Sequence, residues 1–264
     1  MLRLFTLTKR KWAENFAGAW LFYTILPKPP WIKSDFKHIA RFAPIIGILI
    51  GTFQSLIWLF FSKLGWTNYS LILITLPIGI WITGGLHFDG LADTADGLAA
   101  GPKKRLQAMK DSRVGAAGVQ ALIINIFFQV AALIQIGEMA PIAFPIASFW
   151  GRFSPLFAME NFSYLHKNET KSLHLNYWEG FWKEIIPSIL ILCLILTGLF
   201  LTPLETYNRI YIFSLIIIGI FPAIIIPYII GRKLGGHSGD SYGASLVIVE
   251  TITLFLLAMI LGSN

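Results

Sequence analysis

Asp89, Asp93 and Asp96 stand close together, and Asp111 follows just before Arg113, within the run GGLHFDGLADTADGLAAGPKKRLQAMKDSR from Gly84 to Arg113. The whole chain has six aspartates, so four of them fall in this one stretch. On a helix, the i, i+4, i+7 spacing of Asp89, Asp93 and Asp96 puts them in one narrow sector. Like charges on neighbouring turns cost roughly 0.2–0.5 kcal/mol per pair in water, so the crowding calls for a reason. Hard divalent cations such as Mg²⁺ take oxygen ligands, usually a few carboxylates plus substrate phosphates. Asp89, Asp93 and Asp96 are therefore candidate metal ligands. The plain alternative is a solvated acidic helix end, since Asp is favoured near helix N-termini. A long hydrophobic segment leads into this stretch, and acids near hydrocarbon are costly unless compensated, which argues against that alternative. An EF-hand is excluded, because no Asp-x-Asp-x-Asp-Gly run exists.

The elements that must position these acids are membrane helices. Of the 264 residues, 55% are hydrophobic and only 13% charged. Several apolar runs reach the ~20 residues that cross a ~30 Å hydrocarbon core. The expected fold is an all-α polytopic transmembrane bundle of about seven spans, with residues 1–264 forming one integral membrane domain. The spans are read as Phe42–Phe61, Tyr69–Leu86, Gly115–Ile136, Ala140–Met159, Ile185–Leu201, Ile210–Ile230 and Ala244–Leu261. Trp12–Leu26 is too short to cross and is stopped by Pro27, so it reads as an N-terminal interfacial or re-entrant helix. No cleavable signal peptide is expected, since Leu2–Leu7 is too short for an h-region. The single cysteine, Cys193, reads as a small buried apolar residue.

Net charge is +7, but the basic residues flank apolar runs, which is a topology signal and not a nucleic-acid patch. With the first span starting in the cytoplasm, only Lys63 and Arg209 of the 21 Lys and Arg residues fall on the far side. The same parity gathers three connections on one cytoplasmic face: His87–Arg113, Glu160–Lys183 and Arg232–Tyr242.

That face combines acids to hold a metal with cations to clamp anions, the toolkit of phosphoryl transfer. Lys110, Arg113 and Arg152 are the candidate phosphate-binding residues. Asp96 and Asp111 are candidates for catalytic acid–base work, Asp111 alternatively for a further metal ligand. His87 is a third catalytic candidate, against the plainer reading of a hydrogen-bonded structural histidine; His237 is similar. Asp240 and Gly236 are further candidates in the turn LGGHSGDSYGA, where Gly235-Gly236 also reads as a helix C-cap. Glu250, two turns into the last span, is expected to face the bundle interior. Asn125 and Gln129 read as interhelical hydrogen-bonding groups.

The run GGLHFDGLADTADGL, followed by MKDSRVGAAG, closely resembles the signature of the cobalamin synthase (adenosylcobinamide-GDP ribazoletransferase) family. FYTILPKPP near the start and LGGHSGDSYGA near the end resemble that family's terminal motifs, so the likeness covers nearly the whole chain. Departures are Gln129 where many members carry lysine, Val247 in place of an acid, and a loop reading YLHKNETKSLH. The resemblance implies a multi-pass enzyme of the prokaryotic cell (inner) membrane that requires Mg²⁺. It implies small-molecule substrates, adenosylcobinamide-GDP and α-ribazole or its 5′-phosphate, with GMP released; a homo-oligomer is left open. It matches Asp89, Asp93 and Asp96 to the motif's acids, Asp111 and Arg113 to its second part, and Asp240 to the C-terminal acid. The rival class is an ion-coupled membrane transporter. Transporters place ionisable groups at the bilayer midplane within two related halves, and neither feature is evident in this sequence.

Overall fold

The structure, a computed structural model, describes residues 2–165, 175–201 and 213–261. Among these the secondary structure is helical, and the one isolated bridge joins Tyr164 to His237. The main helices are α1 (Leu2–Tyr23), α2 (Ala43–Lys63), α3 (Asn68–Ile82), α4 (Leu86–Ala99), α5 (Arg105–Ala108), α6 (Ala116–Ile136), α7 (Ala140–Asn161), α8 (Phe181–Leu201), α9 (Ile220–Leu234) and α10 (Gly239–Leu261). The expected all-α polytopic bundle is what forms, and each expected crossing is helical over most of its described residues. Residues 166–174 of the central loop and 202–212 lie outside the described part.

Among the described residues, four stretches are long and apolar enough to cross a membrane: Ala40–Lys63, Ala116–Asn161, Phe213–Leu234 and Gly239–Leu261; α3 and α4 reach that length only when the bent pair is counted as one. Ala116–Asn161 runs for 46 residues, more than one crossing needs, and it breaks at Gly137 (φ 60°, ψ −130°). Ile136 and Ala140 both sit in the core cluster around Leu257 and Leu261, whereas Arg152 pairs with Glu250 further back along α10. The stretch therefore folds back into α6 and α7. α10 is the central mast: 61% of its apolar window is buried, and it packs on α4, α6, α7 and α9.

Small residues set the closest approach. A Cβ on Gly47 would lie 2.2 Å from the Ser148 carbonyl oxygen, and one on Gly51 would lie 2.5 Å from Pro145 Cα, so α2 and α7 pack backbone to backbone. Ser55 Oγ adds a bond to the Pro141 carbonyl at 2.6 Å.

α1 is not among the stretches apolar enough to cross, in line with an interfacial element, but it starts at Leu2 and so extends well before Trp12. Its aromatic face packs on Phe42, with Phe16 at 5.8 Å and Trp12 at 5.4 Å in edge-on contacts. The proline-rich segment after it doubles back, and the Asp35 amide donates to the Glu14 carbonyl at 2.9 Å. The start of α8 is pinned here too: buried Glu184 receives Arg41 through Nε at 3.0 Å and Nη2 at 2.7 Å. Cys193 departs from expectation. It is exposed, because α8 meets the bundle along one side only and presents Cys193, Leu190 and Leu194 outward.

Candidate functional site

The acid-bearing stretch forms α4, and two consecutive glycines set its direction. Gly84 (φ 63°) and Gly85 (φ 72°) adopt left-handed conformations that side chains resist, and α4 leaves α3 at 85°. α4 therefore does not continue the crossing of α3 but lies across one end of the bundle, on the first turns of α10. Contact there is again through glycine. A Cβ on Gly90 would lie 2.5 Å from the Asp240 carbonyl oxygen, and one on Gly243 would lie 3.2 Å from His87 Cα. Asp240 is thereby set beside the acids of α4, although 147 residues separate it from Asp93.

The electrostatics record this crowding. The Asp93 carboxyl is raised to about 6, first by burial and then by the charges of Asp89, Asp240 and Asp96. Asp89 is exposed, while Asp93, Asp96 and Asp240 are half-buried.

Asp96 is turned toward α6. Its Oδ2 accepts the Gly115 amide at 2.7 Å and its Oδ1 the Gly118 amide at 2.8 Å, so it caps the α6 N-terminus from another helix. Gly115 and Gly118 make room for it, since a Cβ would lie 2.3 Å or 2.6 Å from its oxygens. Asp111 is paired with Arg113, which donates Nη2–H at 2.7 Å and its own amide at 3.0 Å. Those bonds lower the Asp111 carboxyl to about 2. Lys110 is exposed on the same connection.

Arg152 and Glu250 meet inside the bundle. Arg152 is 3% exposed, and its Nη1 donates to Glu250 Oε1 at 2.6 Å. Glu250 thus faces the interior, as expected of an acid in a span. Gln129 bonds across helices as anticipated, donating Nε2–H to Thr251 Oγ1 at 2.9 Å. Gly235 (φ 80°) ends α9 as a left-handed C-cap, its amide bonded to the Gly231 carbonyl at 2.8 Å. Gly236 is buried; a Cβ there would lie 2.5 Å from the Ser163 carbonyl oxygen. The central loop and the C-terminal turn therefore touch, with the His237 amide donating to Ser163 O at 3.0 Å. His237 is a structural pin: burial lowers its pKa to about 4, Nε2 donates to the Pro227 carbonyl and Nδ1 meets Ser241 Oγ, each at 2.9 Å.

Between α1, α4, α7 and α10 opens a cleft with a cavity volume of ≈ 150 Å³, whose walls include Tyr23, His87, Met159 and Tyr242. Asp89 and Asp240 stand at it. Tyr23 and Tyr242 fall inside the terminal motifs FYTILPKPP and LGGHSGDSYGA, where nothing singles them out, and Met159 carries no motif; their place in the wall is identified only by what packs around the acids. His87 is buried beside the cleft, its ring 6.1 Å from that of Tyr23. Burial, with the nearby Arg152 charge adding, lowers its pKa to about 3 and keeps it neutral.

The donor set suits a hard cation. All the acids offer oxygen, and the mutual repulsion recorded at Asp93 is what a divalent ion relieves. Among the described residues no three His, Cys, Asp or Glu side chains close into a ready coordination set. That is compatible with Mg²⁺, which keeps several waters and is completed by substrate phosphates.

An all-α polytopic bundle with carboxylates from two helices gathered at one end is the class that fold and site define. A model of the cobalamin-5-phosphate synthase family (CobS) matches residues 15–258. The chain is 49% identical over 256 residues to the adenosylcobinamide-GDP ribazoletransferase of Prochlorococcus marinus strain MIT 9303, covering 96% of this chain and 98% of that one. It is 47% identical over 262 residues to the protein of that name from another strain of Prochlorococcus marinus, covering 98% and 100%. A third, from Trichormus variabilis, is 34% identical over 249 residues, covering 93% and 97%. No solved structure matches the chain. The chain belongs to the cobalamin-5-phosphate synthase family, and it is a transferase of cobalamin biosynthesis.

Proposed function

We propose that this protein transfers the adenosylcobinamide phosphoryl group from adenosylcobinamide-GDP to α-ribazole or its 5′-phosphate, with Mg²⁺, releasing GMP. The observation that carries the reading is geometric: α4 bears Asp89, Asp93 and Asp96, and the close contact at Gly90 sets Asp240 of a distant helix beside them. In this reading Asp89, Asp93 and Asp240 hold the divalent ion, and Asp96 anchors α4 to α6. Bound there, Mg²⁺ would neutralise charge on the diphosphate oxygens. The acceptor's ribose hydroxyl attacks the cobinamide-side phosphorus; one P–O bond forms and the P–O bond to GMP breaks. The hydroxyl proton passes to a carboxylate of the same set; Asp111, held low by its bonds to Arg113, is poorly suited to receive it. Arg113 and Lys110, exposed on the connection between α5 and α6, attract the anionic substrate. The positive-inside distribution of Lys and Arg supports a cytoplasmic position for this face in a cell (inner) membrane.

The test is a product assay with purified protein in detergent or nanodiscs: both substrates with Mg²⁺, and with EDTA in its place. GMP release only with metal is expected. Undiminished release in EDTA would remove the metal assignment, and no release from either mixture would remove the reaction.

A further inference from the structure

Beside the cleft, sharing His87 and Leu246 with it, lies a smaller cavity of ≈ 40 Å³. Gln54, His87, Gln129, Ser148, Arg152 and Glu250 are among the residues lining it, so about half of its wall is polar although it sits among spans. Three of these residues carry a buried polar atom with no protein partner: His87 Nε2, Gln129 Oε1 and Arg152 Nε. The residues are 6%, 2% and 3% exposed and come from α4, α6 and α7.

Leaving such an atom unsatisfied costs about 1–3 kcal/mol, so three around one cavity call for an occupant. Its chemistry is fixed by what the three atoms need. Arg152 Nε is a donor and requires an acceptor; Gln129 Oε1 is an acceptor and requires a donor. A metal cation cannot accept from the guanidinium, and a halide cannot donate to the amide oxygen. Water does both, and one to about three waters fit at roughly 10–15 Å³ each.

We propose that this chamber is a buried water site, and that through it His87 acts as a positioning residue, tying α4 to the Arg152–Glu250 pair. His87 lines both cavities and so forms part of the wall between them. It stands one half-turn before Asp89, so the water fixes the end of the helix on which Asp89 and Asp93 ride. The hydration stands independently of the reaction; its effect on turnover rests on the reaction proposed above.

The direct test is an experimental structure of the full chain at a resolution that shows ordered water. Density bonded to Arg152 Nε and to either Gln129 Oε1 or His87 Nε2 is expected. A cation or an acyl chain in the chamber, or side chains rotated inward to satisfy one another, would overturn the water site. The second arm compares His87→Leu with His87→Gln, which keeps a polar atom. His87→Leu should lower kcat about tenfold, the scale of one lost hydrogen bond, with KM for both substrates unchanged. His87→Gln should recover most of that loss at the same thermal midpoint. Equal rates for the two variants would overturn the positioning role. If wild-type protein releases no GMP at all, the reaction reading fails and the density still decides the chamber.

Discussion

Gly90 lies against Asp240: a methyl group on the glycine would come within 2.5 Å of the aspartate's carbonyl oxygen. Two helices therefore touch through their main chains at the point where they present their acids. Gly90→Ala must push α4 off α10, and overpacking of this kind costs about 1–3 kcal/mol. A lower thermal midpoint together with a fall in GMP release is expected. A variant with wild-type midpoint and rate would mean that this contact does not set the site.

Asp93→Asn should lower turnover about 100-fold or more, the loss seen when one preorganised electrostatic contact is removed. The side chain keeps its shape, so a folded, inactive protein is the expected outcome, read by size-exclusion profile and product assay together. Wild-type rates would contradict the ligand assignment.

The same residue gives a pH dependence. Its folded pKa of about 6 lies above the ordinary 3.8, so the native state binds the Asp93 proton more tightly than the unfolded chain. This contribution is fully favourable at low pH and is lost as pH rises from about 3.8 to about 6. In metal-free protein at neutral pH, Asp93→Asn should accordingly raise the thermal midpoint, and Mg²⁺ should raise that of the wild type but not of the variant. A variant less stable than wild type under EDTA would reverse the sign.

Asp96 separates from Asp93 in its expected behaviour. Asp96→Ala removes the acceptor of two amides at the start of α6, a capping loss of about 0.5–2 kcal/mol. Asp96→Asn retains one carbonyl acceptor and should lose less stability, and more of its activity should survive than in Asp93→Asn. Equal inactivation of Asp93→Asn and Asp96→Asn, with unchanged thermal midpoints, would return Asp96 to the metal.

The interior pair makes a fourth case. Glu250→Ala leaves Arg152 charged and buried without its partner, a loss of about 3–5 kcal/mol. The double variant Arg152→Met with Glu250→Met should recover much of that stability in a thermal melt, because apolar side chains need no partner. A double variant as unstable as the single one would show that the pair's value is not electrostatic.

Much of this was legible in the sequence, because apolar length and helical spacing are local properties. The apolar helices, though not the expected count of about seven crossings, the helix beneath Asp89, Asp93 and Asp96, the inward-facing Glu250 and the C-cap at Gly235 follow from the residues within a few turns. The meeting of the acidic stretch with the C-terminal turn followed from the parity of the crossings. What remained hidden depends on partners far along the chain. Nothing near Asp96 announces that its oxygens go to the Gly115 and Gly118 amides, and nothing near Glu250 names Arg152, 98 positions away. Asp111 shows the opposite failure: its partner Arg113 is two residues on, but sequence alone gives that pair no geometry. Cys193 faces outward because of how α8 meets the bundle, which composition does not encode.

The right-angled turn at Gly84 and Gly85 has a mechanical consequence. Asp89 and Asp93 ride on a rung laid crosswise, whereas Asp240 stands at the foot of an upright post. Leaning that post displaces one acid relative to the other two, so the proposed grip on a cation would become sensitive to how thick a bilayer the post must match. Reconstitution in lipids of graded acyl length should therefore give a turnover optimum, with the divalent-ion requirement steepening on either side of it.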